Sequence, residues 1–246
     1  KVALFATCVV DQMFPGVAQA TANVLRRYGC EVTFPKAQVC CAQPAMNWGY
    51  VDDARRVAAA LLDALADAEY VVTPSGSCAA MIQHHYESLF EGDASRLAQV
   101  ERLRERLFEL SQFLVNVLKV EQLDGEFPHA VTFHPSCHGA RLLGVRQEPL
   151  TLLRKVSGLE LRPLPNAQDC CGFGGTFAVK LPEISAAIAD EKLSHVESTG
   201  AGYLVSTDQG CLMHLSGRMQ RCGVQVQAMH LAELLDRATS ESAEAG

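Results

Sequence analysis

The sequence contains no apolar run of the roughly 18–20 residues that a membrane-spanning helix requires. It has no long run of lysine and arginine, and its formal net charge is −7. Charge of this sign argues against a surface that binds nucleic acid or anionic membranes. The first residues form a short apolar run that soon reaches Asp11, without the architecture of a secretory signal peptide. We therefore expect a cytoplasmic protein.

Two motifs that often accompany cofactors are also missing. No C-x-x-C knuckle of the kind found in zinc ribbons occurs, and no G-x-G-x-x-G dinucleotide fingerprint follows a predicted strand. An NAD-dependent enzyme is therefore not predicted. Cysteine, in contrast, is abundant, with ten among 246 residues. In a reducing compartment, so many cysteines favour metal binding or thiol chemistry over a disulfide framework.

The cysteines show that the chain is a tandem repeat. Cys137 lies 129 residues after Cys8, and Cys211 lies 133 residues after Cys78. Between them, the adjacent pair at 40 and 41 recurs 130 residues later, at 170 and 171. Similar neighbouring residues accompany each match. We predict two domains, residues 1–120 and 125–240, followed by a frayed tail at 241–246.

Alternating strand and helix patterns in both copies predict an α/β fold. We expect two tandem, pseudo-symmetric Rossmann-like domains, each with a small parallel sheet covered by helices. The helical patterns cover residues 17–27, 53–66, 183–196 and 231–238. The predicted strands are residues 2–6, 31–34, 70–73, 131–134, 159–161, 203–206 and 224–227.

Four of the repeated cysteines, at positions 8, 78, 137 and 211, each come just after a predicted strand, at or near the start of the next helix. Because sites in parallel α/β sheets form beyond the carboxyl ends of the strands, each copy should bring four thiols together. Free N–H groups at helix starts favour thiolates or a negatively charged cluster. The predicted cofactor and metal ligands are Cys8, Cys40, Cys41 and Cys78 in the first copy, and Cys137, Cys170, Cys171 and Cys211 in the second.

Four thiolates can bind zinc or an iron–sulfur cluster. Adjacent cysteines fit one tetrahedral zinc poorly because neighbouring side chains diverge, so we favour an iron–sulfur cluster. Two alternatives stay open. One is a zinc-binding structural or interaction module, and the other is a thiol–disulfide oxidoreductase that uses vicinal cysteines. Cys30 and Cys222 have no counterpart in the other copy and are interpreted as structural residues.

The second copy carries more groups around its cysteines than the first. His134 and His138 flank Cys137 and are the candidate catalytic residues, although each could instead be a ligand or a surface residue. Gly172 and Gly174 would let the backbone approach a bulky cofactor closely. Asp208 and Gln209 could contact a ligand, but helix capping is the simpler interpretation.

These motifs resemble the CCG cysteine-rich domain family. The resemblance rests on "FHPSCHG", "CCGFGGTFAVKLPEISAAI" and "GCLMH" in the second copy and "PSGSCAAMIQHHY" in the first. The family includes the catalytic subunit of heterodisulfide reductases and iron–sulfur subunits of glycolate and glycerol-3-phosphate dehydrogenases. Two such domains without an attached ferredoxin domain are typical of its lactate-utilisation members.

The resemblance implies a function in electron transfer. It implies an iron–sulfur subunit of an oxidoreductase that converts L-lactate to pyruvate, with [4Fe–4S] clusters on the motif cysteines. The implied partners are a ferredoxin-type iron–sulfur protein, lactate utilisation protein B, and a third subunit, lactate utilisation protein C.

The chain departs from the fuller heterodisulfide reductase pattern at three positions. Met81 and His214 stand where a last cysteine would be, and His214 is a candidate replacement ligand. Ala42 interrupts the CCG tripeptide of the first copy. The pattern therefore predicts a cluster in the second copy and leaves the first copy open.

Overall fold

The computed structural model describes residues 1–241 of the chain. It contains two four-stranded sheets in which all neighbouring strands are parallel, with the orders β2-β1-β3-β4 and β6-β5-β7-β8. The two sheets are thus built in the same strand order, one from each half of the chain. Their strands are β1 (Val2–Leu4), β2 (Val32–Thr33), β3 (Tyr70–Thr73), β4 (Leu107–Glu109), β5 (Ala130–His134), β6 (Glu160–Arg162), β7 (Tyr203–Ser206) and β8 (Gln227–His230).

Helices follow the strands and cover the sheets, as the alternating pattern predicted. In the first half they are α1 (Cys8–Met13), α2 (Pro15–Arg27), α3 (Gln43–Asn47), α4 (Val51–Ala64), α5 (Gly76–Leu89), α6 (Ala94–Arg104) and α7 (Leu110–Gln112), which continues into a π-helical turn at Phe113–Val117. In the second half they are a π-helical turn at His138–Leu142, α8 (Gln147–Lys155), α9 (Thr176–Lys180), α10 (Pro182–Ser198), α11 (Gln209–Cys222) and α12 (Leu231–Glu241). None of the described helices is long and apolar enough to cross a membrane.

The predicted α/β class is confirmed, but two strands differ from the prediction. The edge strand β4 was missed because three residues directly after a charged helix are too few to show alternation. The last strand lies three residues later than predicted, since Tyr203 pairs with Gln227. The β-branched Val224 and Val226 instead pack against an apolar cluster beneath α10 and α11.

The two halves meet about an approximate twofold axis. Ser75 and Asp208, which occupy equivalent positions before α5 and α11, pair with each other in an isolated antiparallel bridge. Helix α12 packs on α2, and the equivalent elements of the other half, α7 and its π-helical turn, pack on α8. A Cβ atom at Gly76 would lie 3.0 Å from the Cα of Gly139, so glycine lets the backbones of the halves approach closely.

One apolar cluster extends across this contact. It joins Leu110, Phe113 and Leu114 of the first half to Leu152 and Leu231 of the second, all almost completely buried. Burial of these apolar side chains stabilises the relative position of the halves, because each Å² of apolar surface removed from water contributes about 25 cal/mol. The domain boundaries at residues 1–120 and 125–240 stay predictions, and 242–246 of the predicted frayed tail lie outside the described residues.

Candidate metal centre

The cysteines of each half converge because of the strand order. Cys8 begins α1 directly after β1, and Cys78 lies in the first turn of α5 directly after β3. Since β1 and β3 are neighbours in the sheet, their carboxyl ends place these two thiols side by side. The pair Cys40 and Cys41 reaches the same edge on the segment between β2 and α3.

The thiols of each half lie close to one another. In the first half, the sulfur atoms of Cys8 and Cys40 are 3.5 Å apart, and those of Cys41 and Cys78 are 3.3 Å apart. All ten cysteines are free thiols in the structure. The adjacent cysteines of each CC pair thus contact different partners.

The second half repeats this arrangement. The sulfur atoms of Cys171 and Cys211 are 3.1 Å apart, and Cys170 lies close enough to Cys137 to raise the pKa of the Cys137 thiol. The Cys171–Cys211 contact is the counterpart of the Cys41–Cys78 contact of the first half, although the residue after the cysteine pair differs between the halves.

All eight repeated cysteines line one cavity of about 180 Å³ at the contact between the halves. The sequence predicted one site in each copy but gave no reason for the two sites to face each other. Cys30 and Cys222 do not line this cavity: Cys30 packs against the shared core, and Cys222 is exposed.

Hydrogen bonds among the thiols favour one thiolate in each half. Bonds from Cys41 and Cys8 hold the pKa of the Cys40 thiol well below its usual range. In the second half, bonds from Cys137 and Cys171 lower the pKa of Cys170, and the Gly172 N–H lies 3.3 Å from its sulfur. Hydrogen bonding to a thiolate, followed by burial, raises the pKa of the donor thiols, which are Cys8, Cys41, Cys137 and Cys171.

Asp208 connects the first turns of two helices at this cavity. Its Oδ1 accepts a hydrogen bond from the Gly210 N–H at 3.1 Å, which confirms the predicted helix cap. Its Oδ2 also accepts from the Ser77 N–H of the other half at 2.8 Å. The carboxylate is almost fully buried, so these bonds to backbone N–H groups are what compensates for the loss of water.

The backbone turns in the left-handed region after both cysteine pairs. Ala42 has φ +71° and Gly172 has φ +88°. A Cβ atom on Gly172 would lie only 2.5 Å from the Ser185 carbonyl oxygen of α10. The first half therefore makes a left-handed turn at an alanine, where the CCG tripeptide of the second half makes it at a glycine.

Three histidines near the second cysteine set, at positions 134, 138 and 214, lie in different surroundings. His138 lines the cavity, and its Nδ1 is 3.6 Å from the sulfur of Cys137. His214 is half-buried on α11, and its Nε2 lies 3.2 Å from the hydroxyl oxygen of Ser185.

His134 is buried at the end of β5, with 1% of its surface exposed. Neither ring nitrogen has a hydrogen-bond partner among residues 1–241, an arrangement that costs about 1–3 kcal/mol for each unpaired polar group. One ring nitrogen and the sulfur atoms of Cys171 and Cys211 lie within 4.8 Å of one another. Burial, and then the charge of Lys192, lower the pKa of His134 to about 3, so its imidazole is neutral at pH 7.

Lys192 is a functional candidate that the sequence analysis missed. Only 1% of this lysine is exposed, and its Nζ donates to the carbonyl oxygens of Asn166 and Ala167 at 2.8 and 3.3 Å. These bonds hold the segment that leads to Cys170. Helical periodicity in the sequence could have indicated that this lysine is buried, because Lys192 lies on the same face of α10 as the apolar residues Ala189 and Val196.

The donor set fits a metal centre. Cysteine thiolates bind zinc and iron–sulfur clusters, and neutral imidazole is a common additional ligand. In this chain the eight repeated cysteines would hold such a group. The division of each CC pair between two partners suits a centre with several metal ions better than one tetrahedral ion.

A family model described as a cysteine-rich domain, CCG, matches residues 2–83 and 131–216, which together exceed half of the chain. The chain belongs to the CCG cysteine-rich domain family. Each matched segment contains all four cysteines of one set.

Among CCG proteins, this chain is similar to those named lactate utilization protein A. The relative from Geobacillus thermodenitrificans is 51% identical over 96% of this chain and 98% of its own length. That from Halalkalibacterium halodurans is 50% identical over 96% of both chains, and lactate utilization protein A 2 from Bacillus cereus is 45% identical over 98% of this chain and all of its own. Identity of this extent over nearly the full length places this CCG protein in the lactate utilization protein A group.

Solved structures of amino-acid racemases show a weak likeness to this CCG protein. Glutamate racemase from Francisella tularensis covers 96% of this chain and 78% of its own, with a TM-score of 0.36 and 11% identity. At these values the likeness supports no inference about function.

Proposed function

We propose that this protein is the iron–sulfur subunit of an L-lactate-oxidising system and relays electrons through [4Fe–4S] clusters on its two cysteine sets. The observation that carries the proposal is the single cavity lined by all eight repeated cysteines. We infer lactate as the substrate from the similar proteins, which are named lactate utilization protein A. The proposed setting is the cytoplasm, with lactate utilization proteins B and C as partners.

The chemistry of the substrate explains why partners are needed. Oxidation of lactate to pyruvate releases two electrons and two protons, whereas an iron–sulfur cluster accepts one electron at a time. The sequence also lacks a dinucleotide fingerprint. We therefore assign this chain electron acceptance or relay, with the two-electron step shared with a second subunit or a second cluster.

The electrostatics of the cavity support an anionic cluster. Cys78 and Cys211 lie in the first turns of α5 and α11, so the N-terminal ends of both helices, where the helix dipole is positive, lie at the cavity. Cys8 begins α1 in the same way. Partial positive charge from these helix ends offsets the charge of thiolate ligands and sulfide.

The test is metal and sulfide analysis of the full chain purified without oxygen. We expect iron and acid-labile sulfide in similar amounts, and an EPR signal after reduction. Two double variants, Cys41→Ser with Cys78→Ser and Cys171→Ser with Cys211→Ser, should each lose part of the iron. The matched control is Cys30→Ser with Cys222→Ser, which changes two cysteines outside the cavity and should keep all of it.

The partner step is tested separately. With proteins B and C present, L-lactate should reduce the clusters, and D-lactate serves as the control substrate. A colourless protein that contains no iron after anaerobic reconstitution would overturn the proposal. Stoichiometric zinc without sulfide would instead favour a zinc module, a candidate supported by the grouping of His134, Cys171 and Cys211.

A further inference from the structure

His134 occupies a position that is apolar in the other half of the molecule. It precedes Cys137 by three residues, as Phe5 precedes Cys8. The sheet registers agree with this equivalence, because Val2 pairs with Tyr70 and Val131 pairs with Tyr203. The two halves therefore place a phenylalanine and a histidine at the same point behind their cysteines.

The surroundings of the two side chains match. Phe5 is fully buried and belongs to the apolar cluster that contains Cys41 and Cys78. His134 is equally buried beside Cys171 and Cys211, the equivalent cysteines of the second set. A phenylalanine is sufficient to fill this space, so packing alone does not account for an imidazole.

The ring nitrogens of His134 lack a partner within the described part of the protein. Neither is hydrogen-bonded within residues 1–241, although buried polar groups in folded proteins are nearly always paired. The nearby Lys192 ammonium donates to two backbone carbonyl groups and has no lone pair to offer a metal. The Nε2 of His214 is within hydrogen-bond distance of the Ser185 hydroxyl. Among the described histidines of the second half, His134 is the one with buried ring nitrogens that have no hydrogen-bond partner.

We propose that His134 is a nitrogen ligand of the metal centre held by the second cysteine set. This inference rests on the proposed function for the presence of a metal centre. It implies that the two halves hold chemically different centres, one with thiolate ligands only and one with thiolate and imidazole.

The first test detects the nitrogen directly. Pulsed EPR of the reduced full chain should show hyperfine coupling to a nitrogen, and labelling histidine with ¹⁵N should change that coupling. His134→Phe, which copies the residue of the first half, should abolish the coupling. His138→Gln and His214→Gln should keep it. A cluster without nitrogen coupling, or coupling that survives in His134→Phe, would overturn the inference while leaving the proposed function intact.

A second test does not require an iron–sulfur cluster. Co²⁺ is titrated into the metal-free chain in which Cys41→Ser and Cys78→Ser disable the first set, and thiolate-to-cobalt absorption is followed. We expect His134→Phe to weaken binding at least tenfold, and circular dichroism confirms that the variant is folded. If that variant does not fold, His134→Cys replaces it, and cobalt spectra should then shift towards sulfur-only ligation. Unchanged affinity in His134→Phe, or unchanged spectra in His134→Cys, would refute nitrogen ligation.

Discussion

The left-handed turn after each cysteine pair allows a quantitative prediction. Gly172→Ala should strongly destabilise the protein, whereas Ala42→Gly, the reverse change at the equivalent position, should have little effect. Both residues have positive φ, +88° for Gly172 and +71° for Ala42. The difference arises from what faces the turn in each half.

At Gly172, two costs add. A non-glycine residue in the left-handed region costs roughly 1–2 kcal/mol. The new Cβ would also lie 2.5 Å from the Ser185 carbonyl oxygen and 3.3 Å from the Ala189 nitrogen, both in the backbone of α10. Overpacking of this kind costs about 1–3 kcal/mol. The free energy of unfolding should therefore fall by roughly 2–5 kcal/mol.

At Ala42, the contributions oppose each other. Glycine relieves the strain of the left-handed conformation, which is worth roughly 1–2 kcal/mol. It also removes a buried methyl group, worth about 0.8 kcal/mol, and makes the unfolded chain more flexible by about 0.4–1 kcal/mol. We expect the free energy of unfolding of Ala42→Gly to stay within about 1 kcal/mol of that of the unchanged protein.

The assay is urea denaturation of the metal-free chain under reducing conditions, followed by far-ultraviolet circular dichroism. Iron and sulfide content after anaerobic reconstitution gives a second measurement, because displacement of α10 should disturb the second cysteine set only. The reasoning is refuted if Gly172→Ala unfolds within about 1 kcal/mol of the unchanged protein, or if Ala42→Gly loses as much stability as Gly172→Ala.

Three further predictions concern groups around the contact between the halves. Asp208→Ala removes the hydrogen bonds from the N–H groups of Gly210 and Ser77. The free energy of unfolding measured by urea titration should therefore fall by roughly 3 kcal/mol. Asp67→Ala, a change at an exposed aspartate, is the control and should have little effect. Burial raises the pKa of Glu109 from 4.5 to about 7. Between these pH values the folded state holds a proton that the unfolded state has lost. The free energy of unfolding should therefore decrease by roughly 3 kcal/mol as pH rises from about 4.5 to about 7. Glu109→Gln should abolish this part of the pH dependence, and an unchanged profile would contradict the assignment. Lys180→Met removes a cation 3.8 Å from the ring centre of Trp48, the single tryptophan, and should change its fluorescence while costing about 0.5–1 kcal/mol in a double-mutant cycle with Trp48→Leu.

The sequence by itself determined the repeat, the α/β class and the grouping of cysteines within each half. These follow from local patterns, because a parallel sheet of alternating strands and helices must place the carboxyl ends of neighbouring strands together. The alternation alone thus assigns Cys8 and Cys78 to one edge of a sheet, and the pairing of β1 with β3 confirms it. Capping by Asp208 was likewise evident from its position before a helix.

Only the tertiary structure decided that the two cysteine sets face one cavity. That arrangement depends on how α12 packs against α2 and how α7 packs against α8, and apolar helix faces can pack in several ways. The same packing lets Asp208 bind a backbone N–H of the other half. Within residues 1–241 it also leaves His134 buried without a partner where Phe5 fills the equivalent space, because burial and hydrogen bonding depend on neighbours that are distant in the sequence.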